Sequence, residues 1–155
     1  MGIADAMPRN EIVIDAPPEK VYETLMDPSA YPEWVVGAKQ LRDVDRKWPR
    51  RGARFHHSVG VGPVKLDDST KILENKPNRR VVLEVRVRPL ATGKVALDLK
   101  PKRRGRRTRV VMTEDLTRGP LSWVREPLRS AAISVRNAIS LRRLRRLVAS
   151  RAGSR

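Results

Sequence analysis

Four polar side chains, His57, Asp68, Thr70 and Glu114, share their parity with apolar residues in segments that alternate apolar and polar positions. Alternate residues of a β-strand point to one face, so all four are expected to look inward with their apolar neighbours. A buried His beside a carboxyl group suits general acid/base work, such as dehydration or aldol cyclisation, with His57, Asp68 and Glu114 as the candidate groups. The plainer alternative is that they hydrogen-bond one another, the backbone or water inside a partly hydrated cavity.

Other chemistry is scarce. The chain of 155 residues has no cysteine, which removes disulfides, thiolate nucleophiles, zinc ribbons and iron–sulfur ligation. His56 and His57 are adjacent and so point to opposite faces of a strand, unable to grip one metal ion together. Asp67 and Asp68 diverge in the same way. There is no nucleophile elbow and no P-loop, and Gly60-Val61-Gly62 runs into Pro63 as a strand break. No metal and no cofactor is expected.

The elements that must position the inward residues begin with a β-rich run, Glu11 to Asp15, stopped by Ala16-Pro17-Pro18. Helical spacing follows from Glu19 to Met26, with Val21 and Leu25 on one side and Asp27-Pro28-Ser29 at the end. A second short helix is expected over Ser29 to Val35, where Tyr31 and Trp34 share a face three residues apart. The two aromatics suit either stacking on a flat ligand at a pocket rim or anchoring the helix to the core.

From Lys39 the period becomes two. Six runs, Lys39 to Asp45, Ala53 to Val61, Val64 to Glu74, Arg79 to Arg88, Lys94 to Lys100 and Arg106 to Thr117, predict an antiparallel meander. Breaks fall at Trp48 to Gly52, Gly62-Pro63, Asn75 to Asn78, Pro89 to Gly93 and Pro101 to Gly105. The inward sets include Phe55, His57 and Val59, then Leu66, Asp68 and Thr70, then Leu83 and Val85. Leu97 follows, and then Val110, Met112 and Glu114. Glu84, Arg86, Asp98, Arg109 and Asp115 fall on the wet face.

The C-terminal segment supplies the cover. Leu128, Ala131, Val135, Ala138, Leu141, Leu144 and Val148 recur at steps of three or four, which predicts a long amphipathic helix restarted at Pro127 and fraying from Ser150. Leu128, Ala131 and Val135 are expected to face the pocket. Trp123 is placed either at a gate beside the helix start or as a plug at the open end of the sheet.

Charge is uneven. Residues 1 to 99 hold 17 basic and 14 acidic groups, whereas residues 100 to 155 hold 17 and 3. Lys100, Lys102, Arg103, Arg104, Arg106 and Arg107 crowd one hairpin tip, and Arg142, Arg143, Arg145 and Arg146 form a second cluster. These suit contact with RNA or an anionic membrane, each worth about 1 kcal/mol near an acidic bilayer. The ordinary alternative is solvated surface. The longest apolar or glycine run, Trp34 to Ala38, is too short to span a bilayer, and Met1 to Asn10 has no apolar signal-peptide core, so a cytoplasmic location is expected.

One strand, two short helices, six strands and one long helix make an α+β order. Ala16-Pro17 with Val21, Leu25, Asp27, Tyr31 and Trp34 resembles the opening of the START-like SRPBCC superfamily, in its polyketide cyclase/dehydrase group. Trp48-Pro49 with Gly52, Gly62-Pro63 with Asp68 and Thr70, Glu74 with Pro77, and Gly105 leading to Glu114 continue the resemblance to about Leu147. It implies a helix-grip fold, a curved antiparallel sheet of about seven strands wrapped around the final helix, with residues 1–155 as one domain and 1–9 and 150–155 frayed. It also implies a cavity between sheet and helix for a hydrophobic small molecule, a lipid, polyketide or similar. A non-catalytic binder or carrier is the first expectation and needs a cavity of roughly 300 Å³ or more. A cofactor-independent polyketide cyclase/dehydratase is the second, and attachment to RNA or an anionic membrane through the basic half the third.

Overall fold

Strand-forming runs and turn residues produce the predicted meander. The computed structural model describes residues 8–61, 63–87 and 91–153. Its elements are β1 (Arg9–Ile14), α1 (Pro18–Leu25), a 3-10 turn (Pro28–Ala30) leading into α2 (Tyr31–Trp34), β2 (Ala38–Val44), β3 (Arg54–Val61), β4 (Val64–Lys76), β5 (Arg80–Val87), β6 (Ala91–Lys102), β7 (Arg107–Arg118), a 3-10 turn (Pro120–Trp123) and α3 (Leu128–Gly153). Pro18 opens α1 at a position where its missing N–H is no loss. Asp27 accepts from the Ser29 backbone N–H and caps the turn that follows.

All neighbouring strands pair antiparallel, in the spatial order β1-β7-β6-β5-β4-β3-β2. The first strand thus lies beside the last, and a simple meander fills the rest. Register places His57 opposite Asp68 and Phe55 opposite Thr70, and Val95 opposite Glu114. The period-two reading of the faces holds: Phe55, His57, Asp68, Thr70, Leu83, Leu97, Val110, Met112 and Glu114 are buried, with Leu66 and Val85 partly so. The Val59 side chain, Arg88 at the end of an expected strand, and the expected turn positions Gly62, Pro89 and Leu90 lie outside the described residues.

Three boundaries differ from expectation. β6 starts at Ala91 and runs through Pro101, because Thr92 pairs with Arg118 and Pro101 with Thr108, so Gly93 and Pro101 sit inside the strand. The turn itself is made by Arg103, Arg104 and Gly105, all with positive φ. α3 continues to Gly153 rather than fraying at Ser150. Arg151 holds that end down by ion pairing with Asp27 and by donating to Thr24 Oγ1 at 3.2 Å.

The larger correction concerns which face of α3 meets the sheet. Leu141, Leu144 and Val148 are buried as expected, but Leu128 is 66% exposed, Val135 61%, and Ala131 is exposed as well. The cause lies in the spacing. Seven apolar positions over twenty residues average fewer than 3.6 per turn, so the row drifts by about 160° around the helix between Leu128 and Val148. The face that continues Leu141, Leu144 and Val148 toward the N-terminus is largely polar: Asn137 and Ser140 are buried there beside the half-buried Ile133, with Arg136 at its flank.

Candidate functional site

Two polar groups meet beneath the first half of α3. The first belongs to β3, β4 and α2. His57 Nε2 lies 3.3 Å from Asp68 Oδ2 and 3.4 Å from Thr70 Oγ1, and the Thr70 hydroxyl donates to the Tyr31 hydroxyl at 3.5 Å. Tyr31 packs edge-on against Phe55 and Trp34 and tilts over His57, with ring centroids 4.9, 5.8 and 4.6 Å away. The aromatic wall excludes water and sets the protonation of what lies behind it. Burial pushes the Asp68 carboxyl up to about 8, against the opposing Ser69 backbone N–H and Arg136, and pushes the His57 imidazole down to about 4. Burial, in the field of Asp68, also raises the Tyr31 phenol. At neutral pH the carboxylic acid of Asp68 therefore donates to a neutral imidazole.

The second group joins β7 to α3. Glu114 Oε1 is 3.6 Å from Arg136 Nη1, and Asn137 Nδ2 donates to Glu114 Oε2 at 3.4 Å. Burial raises the Glu114 carboxyl, with Arg136 and then Asn137 acting the other way. Arg136 Nε also donates to Val36 O, and the Val36 N–H donates to Ser140 Oγ at 3.1 Å. α3 is thereby tied both to β7 and to the segment after α2.

Between the two groups is a cavity lined by Tyr31, Trp34, Val35, Leu83, Val85, Val95, Leu97, Met112, Glu114, Arg136 and Ser140. Its volume is about 20 Å³, room for a single water-sized group. This cavity is far smaller than the expected 300 Å³, because aromatic and aliphatic side chains from α2 and β5–β7 fill the space. One lining residue, Trp34, leaves its buried Nε1 without a protein hydrogen-bond partner, and further buried polar atoms lack one outside the lining, at His57 Nδ1, Asp68 Oδ1 and Asn137 Oδ1. Such groups cost about 1–3 kcal/mol each when nothing satisfies them.

Of the predicted site residues, Tyr31, Trp34, Leu83, Val85, Leu97, Met112 and Glu114 line the cavity. Phe55, His57, Asp68 and Thr70 form the wall behind Tyr31, while Val110 and Leu66 pack elsewhere on the inner face. Trp123, Leu128, Ala131 and Val135 do not join them. Trp123 is 82% exposed, which excludes the plug, and the other three sit on the outer face of α3 through the drift described above. Sequence reasoning missed Arg136, Asn137 and Ser140. Their signal is the set of polar residues at three- and four-residue steps in line with Leu141 and Leu144, which the drifting apolar row through Leu128 and Val135 obscures. Among the described residues no three His, Asp or Glu side chains converge as metal ligands.

A family model described as "Polyketide cyclase / dehydrase and lipid transport" matches residues 9–149. No protein of curated function matches the sequence. Among solved structures, the Zhui aromatase/cyclase from Streptomyces sp. R1128 superposes with a TM-score of 0.73 at 15% identity, covering 94% of each chain. TTHA0849 from Thermus thermophilus gives 0.71 at 20% identity, over 96% of this chain and 99% of that one. A conserved protein from Geobacillus kaustophilus gives 0.72 at 16%, over 92% and 94%. At these identities the likeness is one of fold.

Proposed function

The chain belongs to the polyketide cyclase/dehydrase and lipid transport family, and on that premise we propose that it binds a hydrophobic small molecule bearing a hydrogen-bonding group beneath the first half of α3. The observation that carries this reading is a largely apolar cavity with the unpartnered Trp34 Nε1 in its lining and with Glu114, Arg136 and Ser140 as its polar edge. A ligand with an apolar body and a polar head partners Trp34 Nε1 and covers Leu83, Leu97 and Met112. The closed cavity takes only the head, so binding requires α3 to move outward. Its attachment there includes polar contacts, through Glu114, Val36 and a bond from Asn10 Nδ2 to Ser134 O at 3.0 Å. Pockets of this kind are minor conformations that a ligand makes dominant.

Native mass spectrometry of protein purified from its own source, followed by titration with the neutral apolar dye Nile red, tests the reading. A retained apolar mass, or saturable dye binding displaced by it, is the expected result. No retained mass together with no saturable dye binding overturns it.

A cofactor-independent cyclase or dehydratase is the second reading, favoured by the opposite pKa shifts of Asp68 and His57. A carboxylic acid that stays protonated near neutral pH is a proton donor for a leaving hydroxyl or a carbonyl oxygen, and the neutral imidazole 3.3 Å away is a base that takes the substrate's C–H proton and passes it to the Asp68 carboxylate, restoring both groups. The structural likeness to an aromatase/cyclase agrees with this reading. Once a retained compound is identified, turnover in the unmodified protein that Asp68→Asn abolishes while the compound still binds supports it. Full activity of that variant removes it.

A further inference from the structure

The first half of α3 is inverted. Its inner face carries Asn137 and Ser140, and its outer face carries Leu128, Val135 and Ile139, which are 66%, 61% and 38% exposed. Ala131 and Ala132 fill the gaps in the same exposed stripe. Trp123, at 82% the most exposed large hydrophobic among the described residues, precedes it on a turn fastened to the first turn of α3, where Arg129 Nη1 donates to Val124 O at 3.3 Å. A few exposed apolar residues scattered singly need no explanation, but a contiguous stripe ending in an exposed indole marks a contact surface.

Along the same outer face the chemistry then changes. Helical geometry places Arg142, Arg143 and Arg146 in line with Val135 and Ile139. All three are exposed, and none pairs with a carboxylate among the described residues. α3 contains no acidic residue over its whole length. The surface is therefore apolar for its first turns and cationic for its last, over about 27 Å from Leu128 to Arg146.

We propose that this face, with Trp123, docks on an anionic lipid bilayer. Leu128, Val135, Ile139 and the indole enter the boundary between headgroups and acyl chains, while Arg142, Arg143 and Arg146 meet headgroup phosphates. An interfacial helix binds through this combination of buried apolar area and attraction to anionic lipid. RNA satisfies the arginines but has no use for the aliphatic stripe. A second copy of the chain covers the stripe but offers no acid on its α3 to meet the arginines. No helix of the described residues is long and apolar enough to cross a membrane, so the contact is peripheral. Docking does not require the interior cavity to hold a ligand.

Vesicles of phosphatidylcholine with and without phosphatidylglycerol test the proposal on the full chain. The expected result is sedimentation with the anionic vesicles only, accompanied by a blue shift of Trp123 emission and quenching by bilayer-embedded brominated lipid. Val135→Asp with Ile139→Asp lowers the affinity at least tenfold, and replacing Arg142, Arg143 and Arg146 by Gln lowers it about 100-fold at low salt. These positions are exposed, so the fold tolerates the changes, and quenching in the unmodified protein that Trp123→Phe removes assigns the signal to Trp123 rather than to the buried Trp34 or the half-buried Trp48. Absence of vesicle binding at low salt overturns the proposal. So does binding that the Val135→Asp, Ile139→Asp double variant retains in full, RNA binding with no vesicle binding, or a dimer that buries Trp123 before vesicles are added.

Discussion

His57 and Asp68 face each other across β3 and β4 with Nε2 and Oδ2 3.3 Å apart, and burial holds both uncharged at neutral pH. The pair is thus a hydrogen-bonded acid and base rather than an ion pair, and its effect on stability follows from where each proton goes on unfolding.

Asp68 keeps its proton to about pH 8 when folded, against an ordinary value of 3.8. Its contribution is complete below 3.8 and is lost as pH rises toward 8. His57 has the opposite sign: with a folded value of about 4 against 6.5, its contribution is complete above 6.5 and is lost as pH falls toward 4. The slopes oppose each other at acidic pH and leave Asp68 alone above 6.5. Stability should fall between 6.5 and about 8, by at most about 1.4 kcal/mol per pH unit, and Asp68→Asn should flatten that fall. Urea midpoints across the window measure it, and parallel curves for the two proteins refute it.

Glu114 depends on Arg136 for charge compensation at 3.6 Å. Arg136→Met should destabilise by about 1–2 kcal/mol, less than the 3–5 typical of fully buried pairs because the arginine side chain is 38% exposed. The cost should shrink when Glu114 is already Gln. A double-mutant cycle by chemical denaturation reads this coupling directly, and additive effects show that the contact carries none.

The face of α3 that packs is tested by three alanine substitutions. Leu144→Ala, at a fully buried position, should cost about 2–5 kcal/mol. Leu128→Ala and Val135→Ala should each stay within about 0.5 kcal/mol. Thermal melts separate the two cases. A large loss at Leu128 places that residue in the core and contradicts the helix orientation described above.

At the β6–β7 tip, Arg103 and Arg104 adopt φ of 48° and 59°, a region that costs most L-residues about 1–2 kcal/mol. Arg104→Asn should raise stability by several tenths of a kcal/mol, since Asn tolerates that conformation and removes one of several crowded like charges. Gly105→Ala should lower it: a Cβ there has open space but φ is +82°. A melting temperature unmoved by both changes shows that the tip is decoupled from the folding transition.

Local pattern alone determined much of this protein. Alternation put Phe55, His57, Asp68, Thr70 and Glu114 on one covered face, and Pro, Gly and Asn placed the turns among the described residues to within a few positions, because pleating and turn geometry are properties of short segments. The resemblance carried by Ala16-Pro17, Tyr31, Trp34 and their successors supplied the topology. Tertiary structure decided the rest. Whether Leu128 belongs to the same face as Leu144 depends on which phase of the helix docks on the sheet, and over twenty residues a small error in period turns the face around. Arg136, Asn137 and Ser140 became site residues only because that docking carried them over Glu114 and Val36. The size of the cavity was equally invisible, since it is the difference between two packed surfaces, and the side chains of Tyr31, Trp34 and Met112 leave room for little more than water.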